Sequence, residues 1–162
     1  MDIGCGTGEF SDIFVNHEYT GIDISPIYIA YAAKHIQFPD ASFDFILIMD
    51  MLHHLDDDAA RQVLCEALRL SKSGGKIFVL EDAKIPELVN AIVRFIQNFD
   101  KGGFIREPQD YRKMVPEPLV IQEKNQFRNG GCVYYSMLLN KQYSMVRDVN
   151  SMDYPEDCYH VP

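Results

Sequence analysis

Three glycines at alternate positions, Gly4, Gly6 and Gly8, constrain this chain more than any other stretch. The run Asp2-Ile3-Gly4-Cys5-Gly6-Thr7-Gly8 sets an acidic residue and a short apolar element just ahead of them. That pattern predicts a strand ending in a tight loop that opens into a helix. Glycine suits such a loop because a positive φ and close backbone approach to a ligand both exclude a Cβ. The helix behind it aims free N–H groups and a positive dipole end at whatever is bound. The turn is therefore a candidate cofactor site, and its G-x-G-x-G spacing differs from the G-x-G-x-x-G of nicotinamide-binding folds.

Downstream, strand and helix alternate. Glu9 to Val15 reads as a short helix with Phe10, Ile13 and Phe14 on one side, and Tyr19 to Ile24 as a strand ending at Asp23. Ser25-Pro26 starts a helix to about His35. After the linker Phe38 to Ser42, the apolar run Phe43 to Met49 reads as a strand covered on both faces. Asp50 to Leu55 is the loop after it. Asp56 to Asp58 cap and charge the start of a helix through Ser71, Ser73-Gly74-Gly75 stops it, and Lys76 to Leu80 is the next buried strand. Helices are expected from Pro86 to about Phe99 and around Pro108 to Met114. Leu119 to Phe127 and Cys132 to Leu139 flank Arg128-Asn129-Gly130-Gly131, a strong hairpin signal. The alternation predicts one α/β domain, a doubly wound Rossmann-like sheet, mostly parallel with a C-terminal antiparallel hairpin, over residues 1–140. Residues 141–162 lose periodicity and read as a tail.

Composition removes several function classes. A formal charge of −9 without a Lys/Arg cluster argues against a nucleic-acid partner. No apolar run approaches the roughly 20 residues needed to cross a bilayer, so no membrane partner is expected. Cys5, Cys65, Cys132 and Cys158 lack metal-ligand spacing and read as free thiols in a reducing compartment, which with no signal peptide predicts a cytoplasmic protein and no metal.

Asp23, 15 residues beyond Gly8, stands where an acidic side chain accepts both ribose hydroxyls of a nucleoside; capping the Pro26 helix is a compatible alternative. Asp50, His53 and His54 follow the Phe43 strand at its cofactor end and are candidate general bases, while packing or capping of the Asp56 helix is the plainer role for the histidines. Tyr19, Tyr28 and Tyr31 read as core or rim aromatics. The stretch Arg106 to Arg112 reads as a solvated helix by default and as an acceptor-recognition segment otherwise.

These stretches, together with Gly21-Ile22-Asp23-Ile24-Ser25-Pro26, Phe38-Pro39-Asp40-Ala41-Ser42-Phe43-Asp44, Leu52-His53-His54-Leu55 and Leu68-Arg69-Leu70 through Gly74-Gly75-Lys76, resemble in order the motifs of class I S-adenosylmethionine-dependent methyltransferases of small-molecule type. The resemblance covers residues 1 to about 140 and implies S-adenosylmethionine as cofactor and a small-molecule methyl acceptor. It implies cofactor contacts from Asp2, Gly4, Cys5, Gly6, Thr7, Gly8, Asp23, Ile24, Met49 and Asp50, with Ile24 on adenine, and a methyl-transfer site lined by Met49 to His54.

Two departures from that pattern set further expectations. The strand before Gly4 is a stub and the usual N-terminal lid is absent. The third strand also looks deleted, because Ile36-Gln37 runs straight into Phe38, and with it goes the acid that contacts the adenine amino group, leaving Asp40 as the nearest substitute. About six strands are then expected, with the Tyr19 strand as an exposed edge. Such an edge admits a second function, a degenerate noncatalytic module that binds a protein partner or a second copy there.

Overall fold

The computed structural model describes residues 1–6, 8–23, 38–84, 103–129, 132–141 and 158. Strand β1 (Asp2–Ile3) leads through the glycine turn to a 3-10 helix (Glu9–Phe14), and β2 (Gly21–Ile22) and β3 (Phe43–Met49) follow. A 3-10 turn (Leu52–His54), α1 (Asp57–Leu70), β4 (Ser71–Asp82), α2 (Pro108–Lys113), β5 (Leu119–Asn129) and β6 (Cys132–Lys141) complete the order. The six strands form one sheet in the order β2-β1-β3-β4-β6-β5. β2, β1, β3 and β4 run parallel, and β6 and β5 are antiparallel to their neighbours. The architecture is the expected Rossmann-like sheet. Among the described residues no strand lies outside β2, which is the edge strand; the helices expected over 26–35 and 86–99 fall outside them.

Several boundaries differ from the sequence expectation for physical reasons. β2 has only two residues, because an edge strand pairs no further than its neighbour allows and β1 is equally short. The hairpin strands run longer than expected, to an Asn129↔Cys132 pair, since an Asn-Gly-Gly turn needs only two residues between strands. β4 begins at Ser71, which pairs with Phe43 ahead of a register shift, so the strand extends back through Gly74.

α1 forms as its sequence dictates. The Asp56 side chain accepts the Ala59 N–H at 2.9 Å, an N-cap of the kind that stabilises by about 1 kcal/mol. Ala60, Val63, Leu64, Ala67 and Leu68 then bury one stripe, sharing a core with Ile46, Ile48, Ile77, Val79 and Leu139. Truncating Leu64, which is fully buried, to Ala would cost about 2–5 kcal/mol. At the helix end Arg69 donates to Asp40 at 2.6 Å, to the Phe38 carbonyl at 2.9 Å, and to Glu66, fastening the linker that precedes β3.

Cys65 and Cys158 form a disulfide, correcting the expectation of four free thiols; Cys5 and Cys132 are free. No helix among the described residues is long and apolar enough to cross a membrane.

Candidate functional site

Register aligns the C-terminal ends of the four parallel strands. Ile3 pairs with Ile22 on one side and Ile48 on the other, and Met49 pairs with Leu80. Gly4, Asp23, Asp50 and Glu81 therefore emerge side by side along one edge, the place where open α/β sheets bind ligands.

The glycine turn has the backbone its sequence requires. Gly4, Gly6 and Gly8 have φ of 84°, 51° and 78°, all left-handed. At Gly4 a Cβ would lie 2.8 Å from the Met51 sulfur, so even a methyl group would force the Met51 side chain to move. Among the described residues a Cβ at Gly6 would meet only Asp23 Oδ2, at 3.9 Å, and one at Gly8 nothing within 4 Å. The turn thus has one face packed on Met51 and the other left open by the described residues, with the exposed Asp23 carboxylate beside the opening. Gly4 and Cys5 both donate backbone N–H groups to the Ile22 carbonyl, at 2.8 and 3.0 Å, which locks the turn to β2.

Beneath the turn, Asp2 is buried and accepts the Tyr19 hydroxyl at 2.6 Å. Burial and that carboxylate push the Tyr19 phenol far above its ordinary range. The half-exposed Cys5 sulfur occupies the space a Cβ on Gly21 would need, 2.8 Å away. Partial burial, with Asp2 and Asp23 nearby, raises the Cys5 thiol and keeps it protonated. Thr7 and Ile24 lie outside the described residues.

On the other side of Gly4, the loop after β3 is organised by a residue that sequence reasoning passed over. Glu81 is fully buried at the end of β4. Its Oε1 accepts the N–H groups of Met51 at 3.1 Å and Leu52 at 2.8 Å; its Oε2 accepts the His53 N–H at 3.2 Å and binds His53 Nδ1 at 2.9 Å. A carboxylate only accepts, so Nδ1 carries the proton and Nε2 is the basic nitrogen of the neutral ring. Burial by itself would lower the His53 pKa; the hydrogen bond and charge of Glu81, with Asp82 and Asp50, outweigh it and raise the pKa above the ordinary histidine value. His53 is 3% exposed, and the exposed His54 ring lies 4.1 Å away between centroids. Asp50 adopts φ 49°, a left-handed turn that Asp tolerates better than most residues. Met49, half-buried, closes β3 behind it.

Arg106 completes the loop from outside. Its buried guanidinium donates to the Leu52 carbonyl at 2.9 Å, the Leu55 carbonyl at 2.6 Å and Asp57 at 2.7–2.8 Å. Its own carbonyl accepts from Lys84 at 2.9 Å, and the Phe104 N–H donates to the His53 carbonyl at 3.0 Å. Tyr111 is buried too, donating its hydroxyl to the Asp82 carbonyl at 2.8 Å. Neither Arg106 nor Tyr111 is therefore part of a solvated helix. Asp40, the suggested adenine substitute, is instead tied to Arg69. Among the described residues no group of three or more His, Cys, Asp or Glu side chains is placed to hold a metal.

Residues 1–79 match a family model described as a methyltransferase domain. A demethylmenaquinone methyltransferase of Tropheryma whipplei is 32% identical over 98 residues, covering 50% of this chain and 40% of that protein. The chain therefore spans well under half the length of this curated relative. In structure, the PH0226 protein of Pyrococcus horikoshii OT3 superposes with a TM-score of 0.65 at 18% identity, over 87% of this chain and 80% of that one. LepI, solved in complex with S-adenosylmethionine, superposes with a TM-score of 0.60 at 15% identity, over 87% and 42%. The sequence likeness over residues 1–79 is thus to a methyltransferase domain, and the six-stranded sheet shares the fold of these solved structures.

Proposed function

We propose that this chain is an S-adenosylmethionine-dependent methyltransferase acting on a small molecule whose reacting group carries a proton. The observation that supports this most is the glycine turn, whose three left-handed residues leave one face open beside the Asp23 carboxylate. That cradle fits the cofactor: among the described residues only Asp23 comes within 4 Å of a Cβ built on Gly6 or Gly8. Gly4, Gly6 and Gly8 with Cys5 and Thr7 would form the floor, Asp23 would accept the ribose hydroxyls, and Ile24 would pack on adenine. Met49 and Asp50 would line the side toward the acceptor, while Asp2, bonded to Tyr19, holds the strand end in place.

When bound, S-adenosylmethionine supplies a methyl group on a sulfonium, a good leaving group. Alignment in a water-excluding site then provides much of the acceleration. A neutral hydroxyl is a poor nucleophile, so the chain must remove its proton as the new bond forms. His53 is suited to that: Glu81 holds Nδ1–H, which fixes Nε2 as the acceptor and stabilises the ring once protonated. Asp50 and the exposed His54 stand at the rim, able to orient the acceptor.

Calorimetry on the full chain with S-adenosylmethionine and S-adenosylhomocysteine tests the cofactor half; no binding of either at millimolar concentration would sink it. Binding of both with unchanged turnover in His53→Gln would leave the cofactor site standing and remove the base.

A further inference from the structure

His53 is held through its backbone as well as through its ring. The Leu52–His53 peptide is gripped on both sides: Glu81 takes its N–H at 3.2 Å, and Arg106 Nη1 donates to its carbonyl at 2.9 Å. The His53–His54 peptide is gripped in the same way. Its carbonyl accepts the Phe104 N–H at 3.0 Å, and its N–H donates to the Met51 carbonyl at 3.1 Å. With both flanking peptide planes fixed, φ and ψ of His53 are fixed, and with them the direction in which the ring leaves the chain.

The segment that supplies this second grip is tied to the strand that carries Glu81. Arg106 forms a parallel bridge with Ala83, two residues beyond Glu81, and its carbonyl accepts the Lys84 N–H. Its side chain then uses every N–H it has. Nε donates to Asp57 at 2.8 Å, Nη1 to the Leu52 and Phe104 carbonyls at 2.9 Å each, and Nη2 to the Leu55 carbonyl at 2.6 Å and to Asp57 at 2.7 Å. The guanidinium carbon lies 5.7 Å from the Phe104 ring centroid and 5.9 Å from that of Tyr111, and the residue is only 7% exposed. A lysine ammonium would bring the same charge but three donors in place of five, without the planar fork that reaches acceptors on opposite edges.

We infer that Arg106 is a positioning residue for the reaction proposed above: its planar fork, rather than its charge, sets the backbone of His53 so that the ring keeps Nδ1 on Glu81 and leaves Nε2 to take the acceptor's proton. The part played by Nε2 rests on the methyltransferase function; the grip on the backbone does not. Arg106 thus acts through His53 and touches neither cofactor nor acceptor.

Nitrogen-15 NMR of labelled histidine in the full-length protein, with and without saturating S-adenosylhomocysteine, reads the tautomer and pKa of His53; His53→Gln assigns the signal. The wild-type ring should carry its proton on Nδ1 and titrate above about 6.5. Arg106→Lys keeps the charge and loses the fork, so Nδ1 should lose its exclusive hold on the proton and the pKa should fall by about one unit, a tenfold weaker grip on the added proton. A merely stabilising Arg106 would lower the melting temperature and leave tautomer and pKa of the folded protein at their wild-type values, which would overturn the inference. Asp57→Ala, at an exposed carboxylate, removes one anchor of the fork without touching the turn and should move the same signal in the same direction by less. Should Arg106→Lys fail to fold by circular dichroism, an unmoved His53 signal in Asp57→Ala overturns the inference by itself. Absence of S-adenosylhomocysteine binding in calorimetry counts against the methyltransferase function instead, and the spectra without ligand still decide the role of Arg106.

Discussion

Replacing the Glu81 carboxylate by an amide, Glu81→Gln, tests how far one side chain holds the turn after β3. The amide keeps one carbonyl oxygen, which can still accept from Met51 and Leu52. At the Oε2 position an NH2 group now faces the His53 N–H, donor against donor. That buried N–H loses its partner, costing about 1–3 kcal/mol, and the two surviving hydrogen bonds lose their charge assistance. The ring of His53 must change tautomer to accept from the new amide. Easier desolvation of a neutral side chain offsets part of this, leaving a net loss of about 3 kcal/mol, a large fraction of the roughly 5–15 kcal/mol typical of a domain. Urea unfolding at pH 6 and pH 8 reads it directly, with an unchanged m-value showing that the unfolded state is not involved. Because the folded His53 pKa is raised, its contribution to stability is full below the unfolded value of about 6.5 and is lost as pH rises through the folded value. The deficit of the amide variant should accordingly be larger at pH 6 than at pH 8. A loss below about 1 kcal/mol at pH 6, or one that does not shrink with pH, would refute the role assigned to Glu81.

Asp23→Ala should weaken S-adenosylhomocysteine by about 1–3 kcal/mol in calorimetry, through loss of charge-assisted bonds to the ribose. Gly4→Ala combines a left-handed backbone with a 2.8 Å clash at Met51 and should destabilise the fold measurably more than Gly8→Ala, which bears the backbone strain of about 1 kcal/mol alone; thermal melts separate the two. His53→Gln should lower kcat by about 10²–10⁴ with cofactor affinity kept, and the wild-type rate should climb with pH through a pKa above the ordinary histidine value. Cys158→Ser should lose about 2–4 kcal/mol of stability relative to the oxidised protein, given a bridge spanning 93 residues, and should abolish the effect of dithiothreitol on the melting temperature.

Much of this was legible in the chain because it is local. The left-handed glycines, the Asp56 cap and the hairpin turn are each set by a few adjacent residues, and Asp23 and Asp50 could be found because each closes a predicted strand. Glu81 carries that same signal, an acid at the end of a buried parallel strand, and was missed because the strand was expected to end at Leu80. Arg106 and Tyr111 gave no such sign: their burial depends on the carbonyls of Leu52, Leu55 and Asp82, roughly 30 to 50 positions away. The Cys65–Cys158 pairing is equally non-local, since four cysteines allow three connectivities and spacing does not choose among them.

Met51 joins the two halves of the site. Its side chain fills the space a methyl group on Gly4 would take, while its N–H is held by Glu81. The turn on one side and the His53 loop on the other are thus parts of one packed unit, and neither can shift by a methyl's width without the other. Ligands seated on the two sides would share that contact as a coupling free energy. Such coupling is reciprocal: whatever factor the cofactor adds to acceptor affinity, the acceptor returns to the cofactor.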